Sequence, residues 1–154
     1  MKGNEKVIES LNARLGEELT AINQYMVHAE MCDNWYYESL NKAIQGRAIA
    51  EMKHAEKLIA RIIFLEGRPA VSKLNDIHIG EDVPAMHKND HIAEQVAVQG
   101  YNESIRLAVE VGDNGTRELL SSILTEEESH IDWIESQIDQ IAQMQKENYL
   151  AEQV

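Results

Sequence analysis

The chain has 154 residues, 44% of them hydrophobic, and a formal net charge of −13, which fits one domain, residues 1–154, able to bury its own core without cross-links. The charge argues against nucleic acid or an anionic membrane as partner and suits a protein that attracts cations. Cys32 is the only cysteine. An intrachain disulfide or a cysteine-rich metal cluster is therefore excluded, a reducing compartment such as the cytoplasm is expected, and Cys32 itself reads as a small packed hydrophobe.

The opening Met1-Lys2-Gly3-Asn4-Glu5 leads into charged helical sequence without the apolar stretch of a signal peptide, and no run of about 18 apolar residues occurs, so neither secretion by that route nor a membrane span is expected. Val7, Leu11, Leu15, Ile22, Met26 and Ala29 keep helical spacing and predict a first helix over about residues 5–34, capped by Asn4. A second helix carries Leu40, Ile44, Ala48, Ala55, Leu58, Ile62 and Leu65 and stops at Gly67-Arg68-Pro69. Val98, Ile105 and Ala108 share a face of a third, from about Val83 to Val111, before Gly112-Asp113-Asn114-Gly115 breaks the pattern. Leu120, Ile123, Leu124, Ile131, Ile134, Ile138 and Ile141 mark a fourth, to about residue 144, and Tyr149-Leu150 in the tail suggest a short fifth.

The first two helices and the last two long ones are joined by only a few residues, so each pair is antiparallel. Residues 67–82 lack strong periodicity; roughly 16 extended residues reach about 50 Å, and a helix of about 28 residues is about 42 Å long. The linker can run the length of the bundle and leave the second and third helices parallel. The expected fold is all-α, a ferritin-like four-helix bundle with one long crossover.

Glu51-Met52-Lys53-His54 and Glu127-Glu128-Ser129-His130 are two copies of Glu-x-x-His, each with a partner glutamate upstream, Glu18 and Glu94. Corresponding residues of the two sets are all 76 positions apart, as are Tyr25 and Tyr101, so the halves look related by an approximate twofold axis. All six lie in the apolar phase of their helices. Burying an unpaired carboxylate costs several kcal/mol, so four converging in a core imply compensating protons or cations, and two divalent ions cancel their charge. Two Glu-x-x-His pairs plus two further glutamates form the ligand set of a carboxylate-bridged di-metal site. Mixed carboxylate and imidazole ligation suits iron or manganese, with zinc as a competitor.

The remaining polar residues read more plainly. His91 sits one turn before Glu94, but its counterpart by offset is Leu15, so a surface or supporting role is expected; His28, His78 and His87 fit no ligand pattern. Glu17, Glu126 and Glu128 read as solvated or cavity-facing. Tyr25 and Tyr101 need hydroxyl partners, which Glu94 or Glu18 would supply, and Tyr25 could deliver an electron during oxygen chemistry.

With these residues placed, the chain resembles the bacterioferritins, the haem-containing bacterial branch of the ferritins, nearly end to end. The resemblance includes Met1-Lys2-Gly3, Glu18-Leu19-Thr20-Ala21-Ile22-Asn23-Gln24-Tyr25, Glu51-Met52-Lys53-His54-Ala55, Phe64-Leu65-Glu66-Gly67, Ile79-Gly80-Glu81 and His130-Ile131-Asp132-Trp133. It implies a hollow shell of 24 subunits, identical or mixed with a second bacterioferritin subunit type. Each bundle would oxidise Fe(II) with oxygen or hydrogen peroxide at a di-iron centre and store ferric mineral inside. Glu51 and Glu127 would bridge the metals, Glu18 and Glu94 cap one each, and His54 and His130 complete the coordination. Met52 matches the family's haem ligand, implying haem b held by Met52 from two subunits, with a small iron–sulfur ferredoxin as electron donor for iron release. Gly46 and Ala50 depart from relatives that carry a histidine and an aspartate there, so any cavity-side iron or electron relay at this spot is absent or rebuilt. The competing reading is a di-iron oxidase or peroxidase that stores nothing.

Overall fold

Asn4 starts α1 (Glu5–Asn34) by accepting from the amides of Lys6 and Val7 at 2.9 and 3.3 Å, so two otherwise orphaned donors are satisfied at the first turn. The computed structural model describes residues 1–154. After a three-residue turn come α2 (Glu38–Phe64), the crossover, α3 (Val83–Glu110), α4 (Asn114–Met144) and α5 (Lys146–Ala151). Asp82 caps α3 and Asp113 caps α4 through their side chains. The fourth helix thus begins one and a half turns before its first apolar marker, Leu120. No strand occurs, and no helix is long and apolar enough to cross a membrane.

The end of α2 departs from the expected stop. Leu65 caps it and Glu66, not a glycine, takes the left-handed conformation, with φ 62°. Gly67 is needed for space: a Cβ there would lie 2.6 Å from Ile8 Cγ2 and 3.0 Å from Ile62 Cγ2.

Paired residues establish the helix directions. Tyr25 meets Glu94 and Ser10 meets Ser104, so α1 and α3 are antiparallel; His54 meets Glu127 and Arg61 meets Thr116, so α2 and α4 are too. The crossover runs along α1, held by residues at steps of four or eight. Asn12 accepts from the Ala70 amide, Thr20 from Asn75, Gln24 from His78 and His28 from Gly80, at 2.8 to 3.1 Å. The linker therefore spans the bundle lengthwise, and α2 and α3 point the same way.

Two apolar clusters fill the two ends. One gathers Val7, Leu11, Leu15, Leu58, Ile62 and Ile123; the other gathers Ala29, Leu40, Ile44, Met86 and Tyr149. Each fully buried Leu or Ile contributes about 1.5–3 kcal/mol. Cys32 lies wholly buried in the second cluster, its thiol against the Met86 thioether at 4.0 Å. α5 seals that end through Tyr149, whose hydroxyl donates to Gln137 at 2.7 Å. Met26 and Ile138 depart from the apolar stripes in which the periodicity placed them. Both are exposed, because the stripe is wider than the face that neighbouring helices cover.

Candidate metal centre

Between the two clusters, Glu18 from α1, Glu51 and His54 from α2, Glu94 from α3, and Glu127 and His130 from α4 converge. They form two overlapping groups, Glu18–Glu51–His54–Glu127 and Glu51–Glu94–Glu127–His130, each with its donor atoms within 4.8 Å of one another. Cations with bonds of about 2.0–2.2 Å can span such sets.

Glu51 and Glu127 each divide their two oxygens between the two histidines. His54 Nδ1 lies 2.8 Å from Glu51 Oε2 and 2.9 Å from Glu127 Oε1. His130 Nδ1 lies 3.0 Å from Glu51 Oε1 and 3.5 Å from Glu127 Oε2. Glu18 Oε2 stands 3.6 Å from His54 Nδ1, and Glu94 Oε1 the same distance from His130 Nδ1. The shared offset of the sequence thus reappears as two facing half-sites. Tyr101 donates to Glu18 and Tyr25 to Glu94 Oε1 at 2.6 Å, so each half's tyrosine holds the other half's upstream glutamate.

The donor set fits divalent cations. Glu51 Oε1, Glu94 Oε2 and His130 Nδ1 are buried with no hydrogen-bond partner. His130 Nδ1 and Glu51 Oε1 approach to 3.0 Å without aligning as donor and acceptor, so neither satisfies the other. Burial, reinforced by the Glu51 charge, pushes Glu18 up to about 8. Burial also raises Glu94, against the hydrogen bond from His130. For the histidines burial acts to lower the pKa, but bonds to the surrounding carboxylates outweigh it, taking His130 up to about 12 and His54 higher. Without metal, protons held by His54, His130 and Glu18 offset negative charge in the centre.

A cavity of about 260 Å³ reaches the four carboxylates from between α1, α3 and the crossover, and is also lined by Glu17, Asp76 and His78. Glu17, expected to be solvated or cavity-facing, does face the cavity, and Arg14 binds both its oxygens at 2.8 Å with its side chain only 15% exposed. Burial raises it to about 7 even so. Glu126, expected to be solvated or cavity-facing, is half exposed and accepts from His54 Nε2 at 2.8 Å. Its signal in the sequence was hidden, because its partner is 72 positions away.

The other singled-out residues lie elsewhere. Met52 faces outward, 52% exposed, and Met26 and Ile49 are exposed to a similar degree. His91 pairs with Glu135 at 2.9 Å and stays out of the centre. His28 and His87 are buried, His28 beside Asp90 and His87 against Tyr149, whereas the His78 side chain is exposed; Glu128 is exposed too. Gly46 has nothing within 4 Å of where a Cβ would stand.

Residues 8–144 match the ferritin-like domain family. The chain is 44% identical over 138 residues to the bacterioferritin of Rhodobacter capsulatus, covering 90% of this chain and 86% of that one. It is 40% identical over 149 residues to the bacterioferritin of Brucella melitensis, 97% of this chain and 92% of the relative, and 36% identical over 151 residues to that of Streptomyces coelicolor, 98% and 90%. With four buried carboxylates and two histidines gathered in a helical bundle, and with this likeness along nearly its whole length, the chain belongs to the ferritin-like family, in its bacterioferritin branch.

Proposed function

We propose that the protein is a ferroxidase that stores iron, oxidising Fe(II) to Fe(III) within each bundle and accumulating ferric mineral inside a shell of 24 subunits. The observation that carries this is the division of Glu51 and Glu127 between two histidines, which suits two ions held side by side. Fe(II) is the substrate. Glu18 and His54 bind one ion, Glu94 and His130 the other, and Glu51 and Glu127 span both. Loading displaces the protons these groups hold, so binding strengthens as pH rises. Two Fe(II) and two protons reduce one O₂ to H₂O₂, or one H₂O₂ to two waters, and the paired electrons avoid one-electron products. The cavity beside Glu17 and Asp76 gives cations and oxidant access; Tyr25, hydrogen-bonded to Glu94, stands where it could deliver an electron.

Met52 and Ile49, three apart on α2 and both exposed, offer an apolar outward patch with a soft thioether. It fits haem b ligated by Met52 from two subunits, and that haem would supply electron transfer for iron release, with an iron–sulfur ferredoxin as donor. Residues 1–154 act as one di-iron domain in the cytoplasm. Met52→Leu should abolish the Soret band and leave ferroxidase activity; an undiminished band refutes the ligand.

The same cavity, lined in part by Ile92, Ala93 and Val96, favours a second reading, a di-iron oxidase or peroxidase without storage. Anaerobic Fe(II) addition to the metal-free protein, followed by oxygen, separates the two. A fast ferric phase saturating at two irons per chain, then slower growth far beyond two, establishes storage. Uptake that stops at two establishes the alternative.

A further inference from the structure

The two half-sites match in their ligands but not in what stands behind their histidines. His54 is fully buried and its outer nitrogen, Nε2, is held by Glu126 Oε2 at 2.8 Å; Lys57 Nζ, 3.6 Å from Glu126 Oε1, steadies that carboxylate. The offset of 76 that relates the ligands takes Glu126 to Ala50, which has no polar group to give. His130 Nε2 accordingly has no protein partner. Its side chain is 14% exposed and borders a cleft of about 330 Å³ lined by Ala43, Gly46, Arg47 and Trp133. No other side chain crosses that cleft to replace the missing carboxylate, since Arg47 is turned to Asp90 and to the rings of Tyr25 and Trp133.

A carboxylate on the outer nitrogen of a ligating imidazole fixes its tautomer and orientation and raises its basicity, and losing it typically costs 10- to 100-fold in metal affinity. Resting on the di-metal reading above, we propose that Glu126 is a positioning residue for His54. Ala50 leaves His130 without a counterpart, so the centre binds its two ions unequally, tightly at Glu18–His54 and weakly at Glu94–His130.

The test is anaerobic titration of the full metal-free assembly with Co(II), followed by d–d absorption and calorimetry. The expected result is two Co(II) per chain in two steps at least about tenfold apart. Glu126→Ala should weaken the tighter step by about 10- to 100-fold, with Glu126→Asp restoring much of it; Ala50→Glu should strengthen the weaker step toward the tighter. His130→Ala should remove only the weaker step. Two equal steps in the unaltered protein, or a Glu126→Ala variant with both steps unchanged, overturns the inference while leaving the di-metal reading intact. A total other than two per chain overturns that reading and the inference with it.

Discussion

Two buried ionic clusters occupy successive turns of the same helices and solve opposite problems. Arg47 lies one turn before Glu51 on α2, and Asp90 one turn before Glu94 on α3. Asp90 accepts from Gln24 Nε2 at 2.8 Å, His28 Nδ1 at 2.9 Å and Arg47 Nη2 at 3.0 Å. The Gly80 amide donates to His28 Nε2, so the ring's proton sits on Nδ1. Burial would raise the Asp90 carboxyl, but the bond from His28 and the Arg47 charge hold it below the usual range. One negative and one positive charge close that cluster, and it ties the crossover to α1. One turn on, four carboxylates meet two imidazoles, and the balance needs protons or cations from outside. Both clusters are polar and mostly buried; internal charge balance separates a structural cluster from a binding one.

The sharpest way to break the comparison is to remove one member from each. Glu127→Ala or His54→Ala should abolish the fast oxidation phase while assembly, read by size-exclusion chromatography, persists; wild-type rates would sink the assignment. Asp90→Ala should do the reverse. It strands the Arg47 guanidinium in the core and should cost about 3–5 kcal/mol in denaturant unfolding of the metal-free protein, with two ions per chain still bound by whatever remains folded.

A smaller effect has the opposite sign. Glu18 is pushed up to about 8, so its ionised form is strained without metal. Glu18→Gln should leave the metal-free protein more stable at pH 9 by roughly 1–2 kcal/mol, while weakening metal binding. An Asp90→Asn variant should show no such gain.

Proton linkage separates the clusters in the same direction. In the folded metal-free chain Glu18 and both histidines hold protons that the unfolded chain releases, from ordinary values of 4.5 and 6.5. The stability from His54 and His130 is complete below about 6.5, and the burial penalty on Glu18 develops between 4.5 and 8. Metal-free stability should therefore fall as pH rises from about 6 to 9. Saturating Zn(II) should flatten or reverse that slope, because the ions replace those protons. A slope unchanged by metal in thermal melts would place the proton binding elsewhere. Tyr25→Phe is the smallest change: it removes one hydrogen bond to Glu94 and should keep two ions per chain while slowing the ferric phase read by stopped-flow absorbance.

Much of this was legible along the chain. The periodicity carried the four long helices, Asn4 marked the first cap, and the length of the linker was enough to set its direction. Other features were in view but unread. Asn12, Thr20, Gln24 and His28 repeat a polar residue at multiples of four, yet nothing local says that a crossover lies over them. Met26 fell in an apolar stripe and stands exposed, because hydrophobic spacing cannot tell a face covered by its own bundle from one that is not. Glu17 and Glu126 read as solvated or cavity-facing, and only the packing made them a half-buried partner of Arg14 and a support for His54.

Sequence alone determined which side chains exist, the rotational phase of each helix and the pairing of half with half, because a helix of known pitch converts spacing directly into a face. Tertiary structure decided the axial register between helices. That register brings His54 Nε2 to Glu126 and divides the oxygens of Glu51 and Glu127 between two histidines. Such contacts hold only within a few tenths of an ångström, and that precision comes from the close packing of apolar side chains many residues away.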